Sequence, residues 1–81
     1  MTSLVFYTTL GCHLCEDAEQ LLEHLISAND VTYKAVDISS SKELVEKYGI
    51  RIPVVKNADS GDELGWPFDY YQLLALAKVD N

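Results

Sequence analysis

Two cysteines separated by two residues are the strongest chemical signal in this chain. Cys12 and Cys15 are its only cysteines, and they stand where the apolar segment 4–7 gives way to a helical pattern. Two thiols at this spacing on the first turn of a helix can close a small disulfide, and the helix N-terminus favours the thiolate over the thiol. A structural disulfide would span more chain, because a four-residue loop yields no more than about 2 kcal/mol of stabilisation. The pair therefore predicts a redox site.

Length, composition and charge limit the setting of that site. The chain has 81 residues, 48% of them hydrophobic, which predicts one domain over residues 1–81. The N-terminus lacks the pattern of a secretory signal and no segment reaches membrane-spanning length, so we expect a cytoplasmic protein. Thiols are kept reduced there, where a lone Cys-x-x-Cys pair is catalytic or metal-binding more often than structural. The net charge of -7 argues against nucleic acid and anionic membranes as partners, and we expect a monomer.

The segment after the cysteines predicts a helix followed by a strand. Apolar residues recur there at helical spacing, and the pattern ends near residues 29–30. The apolar face of this helix is predicted to comprise Leu14, Ala18, Leu21, Leu22, Leu25 and Ala28. Residues 31–38 are rich in β-branched and aromatic side chains, which predicts a strand. The order strand, helix, strand makes it parallel to the first strand.

The second half of the chain predicts two further helices and a hairpin. A short helix is bracketed by a capping box from Ser40 to Glu43 and by Gly49. A third strand begins at Pro53, and the turn-forming residues 57–62 predict an antiparallel hairpin. Residues 69–72 fit a capping box that begins the last helix.

The order β-α-β-α-β-β-α, with Cys12-x-x-Cys15 opening the first helix and Pro53 opening the third strand, resembles the thioredoxin superfamily, and in size the glutaredoxins. This resemblance implies an α/β fold in which a four-stranded mixed sheet is flanked by three helices. It further implies a cis-proline at Pro53 that packs across from the reactive cysteine. The backbone of Ile52 would then pair with an extended substrate segment. The alternative is a proline that merely starts a strand.

The two sulfurs are expected to differ in reactivity. Cys12 follows Gly11 at the start of the helix, where unpaired N–H groups stabilise its thiolate, so we predict that it is the nucleophile. Cys15 lies one turn further in and is predicted to be the resolving thiol. His13 stands where glutaredoxins usually carry proline; it either tunes the Cys12 thiolate or is a surface histidine without a catalytic role. The expected substrate is a protein disulfide or a glutathione mixed disulfide, with glutathione as reductant or co-substrate and no tightly bound cofactor.

Several positions depart from the glutaredoxin pattern in the region that holds glutathione. Thr9 replaces a basic residue that meets a glutathione carboxylate, and the segment 65–69 replaces a glycine pair followed by acidic residues. Asp69 is the residue in this segment that carries over best. Trp66 forms either an apolar wall near the site or part of the core. Arg51 either meets a substrate carboxylate or pairs with a surface acid. We therefore expect weaker glutathione binding than in an ordinary dithiol glutaredoxin.

Three other functions fit the same residues less well. A zinc site would need ligands beyond Cys12, His13 and Cys15, and the chain offers no fourth at a suitable spacing, so no metal site is predicted. Two chains could share an iron–sulfur cluster through Cys12 and glutathione, which an absorbance band in anaerobically purified protein would reveal. A thioredoxin-like module could bind a partner peptide without turnover, which a disulfide reduction assay would separate from an enzyme.

Overall fold

The computed structural model describes residues 2–78, and the elements within them follow the predicted order. The strands and helices are β1 (Thr2–Thr8), α1 (His13–Ala28), β2 (Val31–Asp37), α2 (Lys42–Tyr48), β3 (Val54–Asn57), β4 (Glu63–Gly65) and α3 (Tyr70–Ala77), with a short 3-10 helix (Ile38–Ser40) before α2. The single domain predicted over residues 1–81 includes positions 1 and 79–81, which lie outside the described residues.

The four strands form one mixed sheet in the order β2-β1-β3-β4. β1 pairs with β2 in parallel, whereas β3 runs antiparallel to both β1 and β4. The C-terminal ends of β1 and β2 therefore lie at the same end of the sheet as the N-terminal end of β3. This topology brings the loop before α1, residues 9–12, to the same end as the loop before β3, residues 49–53. The predicted four-stranded mixed sheet with three helices is confirmed.

The sheet separates two apolar clusters because successive strand residues point to opposite faces. On one face, Leu4 and Phe6 of β1 pack with residues of α1 and α3. The buried members contributed by the two helices are Cys15, Ala18, Leu22, Leu25, Leu73, Leu76 and Ala77. On the other face, Tyr48 of α2 packs with Ile38 and Val54. Each face of the sheet is thus covered next to the end that carries the cysteines.

Three local predictions were wrong in detail. Leu14 and Ala28, assigned to the apolar face of α1, are exposed, because they lie in its terminal turns, where packing partners come from fewer sides. Ile38 belongs to the 3-10 helix rather than to β2, although its side chain is buried. α2 is capped by Ser41 instead of Ser40: the Ser41 hydroxyl accepts a hydrogen bond from the N–H of Leu44 at 3.4 Å.

Asn57 fixes the β3–β4 hairpin to the last helix. Its side chain is buried, with its amide nitrogen donating to the Leu76 carbonyl oxygen at 2.8 Å. The side-chain oxygen, Oδ1, accepts hydrogen bonds from the N–H groups of Asp59 and Ser60 at 2.9 and 3.2 Å. One polar side chain therefore satisfies both the turn and the end of α3, as burial of an amide requires.

Candidate functional site

Cys12 and Cys15 are joined by a disulfide at the start of α1. Gly11 precedes them with a φ of 77°, a left-handed conformation that turns the chain from β1 into the helix and that glycine adopts without strain. Cys12 is the N-cap residue, and its Sγ atom accepts a hydrogen bond from the N–H of Cys15 at 3.1 Å. The same N–H would stabilise a Cys12 thiolate after reduction.

The two sulfur-bearing residues differ in exposure. Cys12 is partly exposed, whereas Cys15 is 3% exposed and belongs to the core cluster under α1. A substrate arriving from solvent therefore meets Cys12 first. The buried Cys15 sulfur lies next to the Cys12 Sγ atom, which it could attack once Cys12 carried a mixed disulfide.

His13 lies beside the carboxylate of Glu16. Its side chain is 93% exposed, and its Nδ1 atom lies 3.5 Å from the Glu16 carboxylate, which is itself 75% exposed. A protonated His13 would offset the negative charge of Glu16 close to the disulfide. Direct tuning of the Cys12 thiolate by His13 remains a prediction.

Pro53 directly precedes β3, which begins at Val54 rather than at the predicted Pro53, and its peptide bond with Ile52 is cis, as the family resemblance implied. Its carbonyl oxygen accepts a hydrogen bond from the N–H of Trp66 at 3.1 Å. The N–H of Ile52 donates to the Tyr48 carbonyl oxygen at 3.0 Å, while the Ile52 side chain packs against the same cluster as Cys12. An extended substrate that paired with Ile52 would therefore use its carbonyl oxygen, since its N–H is already bonded.

The remaining predicted binding residues each have a partner within the protein. Arg51 is half exposed; its Nη2 atom lies 3.9 Å from the Glu63 carboxylate, and its guanidinium carbon lies 5.7 Å from the centre of the Tyr48 ring. Trp66 packs on the core cluster, edge to face with Phe68 at 5.1 Å between ring centres. Arg51 thus pairs with an acidic residue and Trp66 packs on the core, as one of the two alternatives for each predicted. A role in binding substrate remains a prediction for both.

Asp69 serves as the N-cap of α3. Its carboxylate accepts from the N–H of Gln72 at 2.8 Å, and the Gln72 side-chain oxygen accepts from the N–H of Asp69 at 2.9 Å. The predicted capping box is confirmed. A ligand that required this carboxylate would have to share it with the helix terminus.

A cleft of about 190 Å³ opens beside the disulfide, between the end of β1 and the first turns of α1. Phe6 lies in its wall together with Thr8 and Thr9, and Glu16 and Glu19 add two carboxylates. The complete lining is Phe6, Thr8, Thr9, Leu10, Gly11, Cys12, Cys15, Glu16 and Glu19. Thr9 therefore lies close to the sulfurs, and no lysine or arginine lines this cleft.

No sequence pattern indicated the buried cluster that lies next to Pro53. The Tyr48 side chain is 1% exposed, its ring stacks on Tyr7 at 4.2 Å between ring centres, and its hydroxyl donates a hydrogen bond to Glu63. The pKa of Tyr48 is raised well above the ordinary tyrosine value, mainly by burial and secondly by this hydrogen bond. The phenol therefore remains a neutral donor at physiological pH.

Comparison with known proteins agrees with this fold. The family model "Glutaredoxin-like domain (DUF836)" matches residues 3–77. A structural-genomics target protein from X. campestris is 33% identical, with 96% of this chain and 99% of that chain covered and a TM-score of 0.76. A protein from Nitrosomonas europaea is 28% identical, with 91% and 88% covered and a TM-score of 0.79. No curated protein matches at a significant level.

The fold of the chain is similar to that of the thioredoxins. A thioredoxin from Halobacterium salinarum NRC-1 shares that fold at a TM-score of 0.72 and 20% identity, with 99% of this chain and 78% of that chain covered. The chain belongs to the glutaredoxin-like domain family, and its fold is that of the thioredoxins. The family and the disulfide together support a thiol redox role.

Two kinds of feature are absent from residues 2–78. None of the helices in this part of the chain has the length and hydrophobicity needed to cross a membrane. Within the same residues, no three His, Cys, Asp or Glu side chains converge in a way that could hold a metal ion.

Proposed function

We propose that the protein is a thiol-disulfide oxidoreductase in which Cys12 attacks a substrate disulfide and Cys15 resolves the mixed disulfide. The observation that carries this proposal is the inequality of the two sulfurs: Cys12 is partly exposed at a helix N-terminus, and Cys15 is buried one turn later. The N–H of Cys15 that points at the Cys12 Sγ atom favours the thiolate on the outer residue.

The reaction begins with the Cys12 thiolate attacking one sulfur of the target disulfide. The target S–S bond breaks, a Cys12–target disulfide forms, and the other target sulfur leaves as a thiolate that takes up a proton. Cys15 then loses its proton and attacks the Cys12 Sγ atom, which closes the Cys12–Cys15 disulfide and releases the second target thiol. The target gains two electrons and two protons, and the cysteine pair loses them.

Two thiols from a donor return the pair to its reduced form. We propose glutathione or a protein dithiol as this donor, with a protein disulfide or a glutathione mixed disulfide as substrate. The proposal places a monomer in a reducing compartment such as the cytoplasm, where a short-loop disulfide serves exchange rather than stability. It includes neither nucleic acid nor membrane as a partner, in keeping with the net charge of -7.

Reduction of a peptide disulfide by the wild type and two serine variants tests the proposal. Cys15→Ser should accumulate a stable mixed disulfide through Cys12, whereas Cys12→Ser should form none. Mass spectrometry identifies the adduct, and alkylation rates measured against pH give the more acidic thiol. Absence of turnover by the wild type would favour a binding module, and faster alkylation at Cys15 would reverse the two roles.

A further inference from the structure

The carboxylate of Glu63 bridges two groups next to the loop that carries Pro53. One of its oxygens accepts the hydrogen bond from the Tyr48 hydroxyl, and the other lies 3.9 Å from the Nη2 atom of Arg51. The side chain of Glu63 is 22% exposed, so this charge is largely withdrawn from solvent. We refer to Tyr48, Arg51 and Glu63 as the Arg51 cluster.

Arg51 lies in one of the loops at the end of the sheet that carries the cysteines. The loops at the cysteine end of the sheet comprise residues 9–12, 38–41, 49–53 and 66–69, and Arg51 is the only lysine or arginine in them. The first two turns of α1 carry carboxylates and no lysine or arginine. A substrate with carboxylates near its disulfide therefore depends on Arg51 for any strong cationic contact from these loops.

The guanidinium group of Arg51 is engaged by the other two members of the Arg51 cluster. The guanidinium group lies beside the Glu63 carboxylate and over the Tyr48 ring, with a guanidinium carbon to ring centre distance of 5.7 Å. The N–H groups of Arg51 and Ile52 both donate to the Tyr48 carbonyl oxygen, at 2.8 and 3.0 Å. Backbone and side chain are thus both tied to the C-terminal end of α2.

We propose that Glu63 is a specificity-determining residue: by pairing with Arg51 it withholds the guanidinium group from anionic substrates and directs the enzyme away from glutathione mixed disulfides toward uncharged ones. This inference rests on the proposed function and names its substrate class. Glu63 acts through Arg51 and touches no reacting atom. Tyr48 keeps the Glu63 carboxylate in place with its hydrogen bond.

The expected effect is moderate because Arg51 is half exposed. A partly exposed ion pair of this kind contributes up to about fivefold in an equilibrium constant. Loss of the Glu63 charge should therefore raise the preference for an anionic substrate by about threefold to fivefold. A larger gain would require a second change at the site.

Two mixed disulfides of one peptide measure this preference directly. One carries glutathione and the other carries uncharged 2-mercaptoethanol, and the ratio of their kcat/KM values cancels changes in Cys12 reactivity. Glu63→Gln should raise the ratio, because glutamine still accepts the Tyr48 hydrogen bond but carries no charge. Asp62→Asn is the matched control: it removes the same charge one residue away, from an exposed side chain that faces Lys78. This control should leave the ratio unchanged.

Arg51→Gln completes a double-mutant cycle. Alone it should change the ratio little, since the wild-type guanidinium group is already engaged, and combined with Glu63→Gln it should abolish the gain. The proposal is overturned by an unchanged ratio in Glu63→Gln, by an equal rise in Asp62→Asn, or by a gain that persists without Arg51.

A binding measurement separates this inference from the proposed function. S-methylglutathione has both carboxylates of glutathione but no thiol, so it cannot exchange with Cys12. Its dissociation constant, obtained by NMR titration of the oxidised protein, should decrease in Glu63→Gln only when Arg51 is present. If no variant turns over either mixed disulfide, the proposed oxidoreductase function fails, and this titration alone decides the role of Glu63.

Discussion

Removal of the Tyr48 hydroxyl in Tyr48→Phe tests how much the buried hydrogen bond to Glu63 contributes to the fold. The phenyl ring would keep its stacking on Tyr7, because the two rings lie 4.2 Å apart and nearly parallel at 18°. The carboxylate would lose its neutral donor but keep Arg51 at 3.9 Å. The substitution therefore isolates one hydrogen bond from the packing around it.

The magnitude follows from the burial and charge of the two partners. A hydrogen bond to a charged group contributes about 1.5–3 kcal/mol to stability. Glu63 keeps some solvent contact and its ion pair with Arg51, so we expect the low end, about 1.5 kcal/mol. For a domain of this size that loss lowers Tm by about 6–12 °C.

The same substitution should change the alkaline limit of stability. Burial and the hydrogen bond to Glu63 raise the pKa of Tyr48, so the folded protein keeps this proton after the unfolded chain loses it at about pH 10. Above that pH the folded state binds more protons, and the free energy of unfolding falls by up to about 1.4 kcal/mol per pH unit. Tyr48→Phe lacks this loss, so its stability curve should be flatter there.

Urea unfolding followed by circular dichroism from pH 7 to pH 11 measures both effects. Tyr71→Phe is the matched control, since its side chain is highly exposed. The pKa of Tyr33 is also raised, mainly by partial burial and secondly by the nearby Glu19 and Glu23 charges. Tyr33 is present in the wild type and in both variants, so it adds the same pH dependence to the stability of each. If Tyr48→Phe matches Tyr71→Phe in both stability and slope, the hydrogen bond has no energetic role.

Two further substitutions test other parts of the structure. Asn57→Ala removes three hydrogen bonds of this side chain, two within the hairpin turn and one to the Leu76 carbonyl oxygen. We expect a loss of about 2–4 kcal/mol in chemical denaturation, and a loss no larger than that of an exposed polar substitution would contradict this expectation. Thr9→Lys should raise the rate with a glutathionylated peptide by up to about tenfold, because it supplies one charge-assisted contact, partly offset by Glu16 and Glu19 in the same cleft. An unchanged rate would show that glutathione is held by other contacts.

The order of elements could be predicted because local signals agreed with it. The spacing of Ala18, Leu22 and Leu25 predicts the buried face of α1, and Asp69 with Gln72 predicts the start of α3. The position of the cysteine pair at the start of α1 follows from the same reasoning. These features depend on neighbours within a few residues of one another, which a sequence pattern can represent.

The Arg51 cluster could not be predicted in this way. Tyr48 and Glu63 are fifteen residues apart in sequence, and they meet only because the β3–β4 hairpin returns Glu63 to a position opposite Lys56. The residues next to Tyr48 in sequence do not indicate that its side chain is buried against a carboxylate. The sequence left open whether Arg51 met a substrate or a surface acid, and the partner it has in the structure is supplied by strand pairing.

The most direct test of the account is to equilibrate the protein with glutathione redox buffers and determine its thiol state by acid quenching and mass spectrometry. A reversible pair requires one transition between a dithiol and an intramolecular disulfide lighter by two hydrogens, with the protein monomeric throughout. Cys12 and Cys15 should account for the entire change. A glutathione adduct that persists at the midpoint, a disulfide-linked dimer, or a disulfide that reduced glutathione never opens would contradict the proposal.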